Sequence, residues 1–72
     1  MSTTLDCLSP GVTATITATS GSDADLLRAM GLREGTDVTV RRIGEPCIVE
    51  SGNTRLGLAR CVTSNVHVTP HG

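Results

Sequence analysis

Seventy-two residues make one small domain, which buries only about 60% of the surface its unfolded chain exposes and leaves little room for a catalytic cleft with a supporting shell. Six Arg, no Lys and seven acidic residues give a net charge of −1, no electrostatic reason to bind a phosphate backbone, and the complete absence of Phe, Trp and Tyr removes both base-stacking platforms and the aromatic groove that reads Pro-rich peptides. No apolar run approaches the length of a transmembrane helix and no secretory signal opens the chain, so it reads as cytosolic, without nucleic-acid partners or membrane insertion; the three dispersed Cys argue against a disulfide framework.

Residues 1–10 are polar, end at Pro10-Gly11, and read as an N-terminal arm or short edge segment. Apolar residues and Thr then alternate from Val12 to Thr19 at the period of a strand. Val12, Ala14, Ile16 and Ala18 are expected to face inward. Ser20-Gly21-Ser22 ends that strand, and Asp23 to Met30 follows as a helix of about two turns. Ser22 is its candidate N-cap, Asp23 and Asp25 suit the positive end of the dipole, and Arg28 suits the other end. Gly31 stands where a left-handed C′ residue belongs. Asp37–Arg42, Cys47–Glu50, Thr54–Leu58 and Asn65–Thr69 read as further strands. Gly35, Gly44-Glu45-Pro46 and the loop around Gly52 supply the turns, and 59–64 reads as a turn or a single helical turn. Residues 70–72 form a tail. The expected fold is mostly β: a small barrel of about five short strands with one short helix after the first, spanning residues 11–69.

The run Leu27-Arg28-Ala29-Met30-Gly31-Leu32, followed by Gly35 and Val38, then Gly44-Glu45-Pro46 and Arg55-Leu56-Gly57-Leu58, resembles the FeoA family in both motif and order. Glu34 stands where that family often has Pro. The resemblance implies an SH3-like barrel and a non-enzymatic accessory role in ferrous iron transport. It also implies a membrane partner, the ferrous iron transporter FeoB, engaged from the cytosolic side, and a general association with transition metals. Related domains end metal-dependent repressors, so a stand-alone metal-binding or metal-sensing domain is the alternative.

For a docking surface the first choice is the helix, with Leu26, Leu27, Arg28 and Met30. One short helix cannot bury both adjacent leucines equally, and exposed apolar patches mark interaction sites. On this reading Leu27→Asp weakens docking without unfolding the barrel. Cys47, Cys61 and His67 are the weak candidates for a ferrous iron or zinc site, since soft divalent ions need three or four converging ligands. The competing reading makes the cysteines core residues and His67 a surface side chain. An exposed strand edge could support weak self-association. No catalytic constellation and no phosphate-cradling glycine loop is present in the sequence.

Overall fold

The computed structural model describes residues 3–22 and 24–71. Asp23, to which the sequence reading gave a place in the helix's first turn, lies outside them, as do Met1, Ser2 and Gly72. The elements in chain order are β1 (Thr3–Thr4), a 3-10 turn (Leu5–Cys7), β2 (Thr13–Thr19), α1 (Ala24–Ala29), β3 (Asp37–Arg42), β4 (Cys47–Ser51), β5 (Thr54–Leu58), α2 (Arg60–Thr63) and β6 (Val66–Pro70). All five strand pairings are antiparallel, in the order β1-β6-β2-β3-β4-β5. The sheet curls into an SH3-like barrel, but no ladder joins β1 to β5 among the described residues.

Aliphatic side chains fill the interior. β2 contributes Ala14 and Ile16, β3 Val38 and Val40, β4 Cys47 and Val49, β5 Leu58, and β6 Val66 and Val68. Each strand places every second residue inward, as the pleat requires. Two features depart from the sequence reading. Ala18 faces out, because the β2–β6 register shifts between Ile16 and Ala18, and one extra residue reverses the facing of all that follow it. Leu5 and Leu8, from the segment read as an arm, are core residues, and β1 pairs with β6 through Thr3 opposite Val68 and Thr4 opposite His67. At the other end, Pro70 belongs to β6, and the His71 N–H donates to the Thr13 carbonyl at 2.9 Å.

The helix exit explains the Met-Gly-Leu run. The Gly31 N–H donates to the Arg28 carbonyl at 3.0 Å, and the Leu32 N–H to the Leu27 carbonyl at 2.9 Å. These two bonds make a Schellman motif with Gly31 at C′. Its φ is +91°, and Leu27 and Leu32 are both buried, supplying the apolar contact that usually accompanies the motif. A Cβ at Gly31 would meet nothing within 4 Å, so the demand for glycine is made by the backbone alone. Gly31→Ala should therefore cost about 1–2 kcal/mol, the penalty of a left-handed L-residue, read as a lower urea midpoint with unchanged binding and spectra.

Candidate functional site

The six residues of α1 present two faces. Leu27 is 1% exposed and Leu26 is 59% exposed, since successive helical residues point about 100° apart. Met30 is half-buried against the core. Arg28 reaches Asp25 at 3.6 Å and Glu34 at 3.4 Å. The Glu34 carboxyl is held below its ordinary range, first by its own backbone N–H, then by the Arg28 guanidinium, with a smaller contribution from the Thr19 N–H. The expected four-residue docking set thus divides. Leu26 and Arg28 face solvent, Met30 is partly covered, and Leu27 belongs to the interior. The expectation that Leu27→Asp spares the barrel is overturned by that burial.

The Gly44-Glu45-Pro46 turn serves the fold. Both carboxylate oxygens of Glu45 accept from the backbone N–H of Arg60 at 3.3 Å. Arg60 is the first residue of α2, whose N-cap, Ala59, has no side chain able to cap it. The carboxylate of the turn caps the helix instead and ties the β3–β4 connection to α2. Beside it lies a cavity of about 20 Å³ lined by Asp6, Ile43, Gly44, Cys47, Arg60 and Thr63, which has room for about one water molecule. Such a space holds no organic ligand.

The three metal candidates are not brought together. Cys47 is buried on the inner face of β4. His67 alternates with the buried Val66 and Val68 and therefore leaves β6 on the opposite face. Cys61 is exposed on α2. No group of three His, Cys, Asp or Glu side chains able to hold a metal ion exists among the described residues. Burial, with a smaller contribution from the charge of Asp6, pushes the Cys47 thiol above its ordinary pKa, which disfavours the thiolate that would ligate.

Sequence reasoning missed an arginine face. The β3–β4 register shifts between Val40 and Arg42, with Val40 opposite Val49 and Arg42 opposite Ile48. Through this bulge both Arg41 and Arg42 lie on the outer side of the sheet, where alternation would have sent one inward. Arg41 Nε donates to Glu50 Oε1 at 2.6 Å, and Arg55 Nη2 donates to the same oxygen at 3.0 Å. The Arg41-Arg42 pair inside an apolar-alternating strand was the available signal, because two consecutive charges break period two. The Glu50 carboxyl is held below its ordinary range, first by the Arg55 hydrogen bond and then by that of Arg41. A depressed carboxylate pKa contributes stability that is present above the unfolded-state value and lost as pH falls through the folded one. Urea midpoints should therefore fall on acidification below the ordinary glutamate range. Glu50→Gln should flatten part of that dependence, and salt should shrink it, because the cluster is exposed.

Among the described residues, a single curled antiparallel sheet, two short helices and an aliphatic core define a small SH3-like barrel domain. The FeoA domain model matches residues 3–70, and the chain belongs to the FeoA family. Its structure is similar to that of an iron uptake regulatory protein, FeoA, at a TM-score of 0.90 and 23% identity, with 99% of each chain covered. It is also similar to Stenotrophomonas maltophilia FeoA complexed with zinc, a prokaryotic SH3-domain protein, at a TM-score of 0.84 and 27% identity over 92% of this chain and 88% of that one. The fold recurs in T. acidophilum IdeR, at a TM-score of 0.89 and 18% identity over 97% of this chain but 34% of that one. No curated protein sequence matches the chain.

Proposed function

We propose that this protein is a non-catalytic, cytoplasmic accessory of ferrous iron transport that docks on the cytosolic side of the FeoB transporter through the outer face of α1 and regulates it. Family membership supplies the transport context, and the S. maltophilia relative is described as a candidate ferrous iron transport activating factor. The observation that carries the surface is Leu26, a large apolar side chain left open to solvent beside an arginine held in place by two carboxylates. Among the described residues no helix is long and apolar enough to cross a membrane. The test is co-purification with FeoB from solubilised membranes. Leu26→Asp should weaken association by at least about tenfold, the scale of losing one buried apolar contact, with an unchanged circular dichroism spectrum. Absence of association with intact FeoB would overturn the proposal.

The zinc bound by the S. maltophilia relative favours a second reading, a metal-binding or metal-sensing domain. Anaerobic calorimetry under reducing conditions separates the two. Sensing requires stoichiometric heat with zinc or ferrous iron that disappears when Cys47 and Cys61 become Ser. Docking through α1 requires none. The separation of Cys47, Cys61 and His67 on different faces supports docking.

A further inference from the structure

We propose that the free edge of β5 accepts an extended, acidic segment of a partner protein as an added antiparallel strand. This surface is separate from α1, and the inference does not rest on docking through that helix.

The backbone geometry comes first. β4 and β5 are joined by the two-residue loop Gly52-Asn53, with Ser51 opposite Thr54. In a two-residue hairpin the closing pair exchanges both hydrogen bonds, and the pairs then alternate. Val49 opposite Leu56 and Cys47 opposite Leu58 are therefore bonded pairs. Arg55, opposite Glu50, and Gly57, opposite Ile48, point their N–H and C=O groups away from β4. β5 is the last strand of the sheet, and no hydrogen bond from those four groups to another part of the chain exists among the described residues. Both residues are exposed. They form a short row of open donors and acceptors, the template that an added strand requires.

Gly57 is the second observation. Its φ lies outside the left-handed range, and a Cβ built on it would make only ordinary contacts, 3.5 Å to Pro46 and 3.6 Å to Ile48. The fold does not demand glycine there. A glycine within a strand costs conformational entropy, and one reason for its presence is the close approach of another backbone.

Charge selects the occupant. Arg41, Arg42 and Arg55 share the outer face of β3–β5 with two acids, Glu50, which is already divided between two of them, and Asp37 at the start of β3, which is engaged by Thr15 and His71. A second copy paired antiparallel about Leu56 would set Arg55 opposite Gly57 of the other copy and diagonal to the other copy's Arg55, about 7–8 Å away and within reach of long side chains. It thus brings more positive charge to a face already rich in arginine and no carboxylate to Arg55. A strand carrying carboxylates at alternate positions meets the arginines instead.

The test is amide hydrogen exchange and chemical-shift mapping by NMR, using a capped decapeptide of alternating Glu and Thr as probe and its Lys-Thr counterpart as control. At about ten times the dissociation constant, exchange at Arg55 and Gly57 should slow by about tenfold, with the bonded amides of Leu56 and Leu58 little changed. Gly57→Pro removes one outward donor and no β4 hydrogen bond, so it should abolish the effect in a folded protein. Arg55→Glu, which leaves the backbone intact, should weaken binding by about tenfold or more. The proposal is overturned if the acidic peptide leaves those two amides unchanged, if the Lys-Thr peptide protects them equally, or if the shifts centre on α1. Protection that grows with protein concentration alone would assign the edge to a second copy and overturn it as well.

Discussion

Leu27→Ala should destabilise the protein by about 2–5 kcal/mol, whereas Leu26→Ala should change stability by less than about 0.5 kcal/mol. The two residues are neighbours of the same chemical type in a six-residue helix, yet one is 1% exposed and the other 59%. Leu27 also occupies the C3 position of the Schellman motif and shares the core with Leu32, the C″ residue, so its truncation loosens the helix exit together with the core. A domain of this size holds only roughly 4–11 kcal/mol in total. Leu27→Asp, which buries an unpaired carboxylate, should therefore leave little folded protein at neutral pH. Paired urea titrations followed by far-UV circular dichroism check this directly. Equal midpoints for the two alanine variants would mean that α1 does not pack as described. The comparison also governs binding experiments, because loss of partner association in a Leu27 variant reports unfolding, while loss in a Leu26 variant with wild-type stability reports the surface.

The strands were legible because their physics is local. Asp37–Arg42 and Thr54–Leu58 were expected with the bounds that the structure has, since alternation and a turn residue at each end suffice to define a half-buried strand. The facing of single residues was less legible wherever a bulge intervened. Ala18 was expected inside and the shared outward facing of Arg41 and Arg42 was not read, and both positions adjoin register shifts that depend on how two distant strands pair. The adjacent leucines show the same limit. Sequence alone required that one of Leu26 and Leu27 be exposed, but the choice between them follows from how Gly31 turns the chain so that Leu32 enters the core on the side of Leu27. Glu45 is a tertiary case, since its carboxylate caps a helix that starts fifteen residues later, and no local pattern shows that. The metal candidates lie apart for a related reason. Cys47 and His67 each obey the alternation of their own strand, and that alternation places them on opposite faces.

The N-terminal segment carries the other large expected effect. Leu5→Ala should cost about 2–5 kcal/mol, although Leu5 lies in a stretch whose polarity reads as an arm. Its side chain is fully buried, Leu8 is nearly so, and the 3-10 turn that holds Leu5 packs against α2 and β6. β1 adds a ladder to the outer side of β6, so the segment covers an edge of the sheet as well as plugging the core. A barrel with no closing ladder between its end strands among the described residues keeps its interior dry only if something lies across the gap, and a chain without aromatic residues has few large side chains to do so. Among the described residues of this segment, Leu5 and Leu8 are the ones that enter the core. Deleting residues 1–8 should thus be more damaging than any single core truncation, giving a broad, weakly cooperative thermal transition and dye-accessible apolar surface. A deletion variant that melted as sharply as the parent, at the same temperature, would show the segment to be the dispensable arm that its composition suggests. Leu5→Ala within the intact chain separates loss of packing from loss of the β1 ladder, because it leaves the backbone pairing with β6 in place.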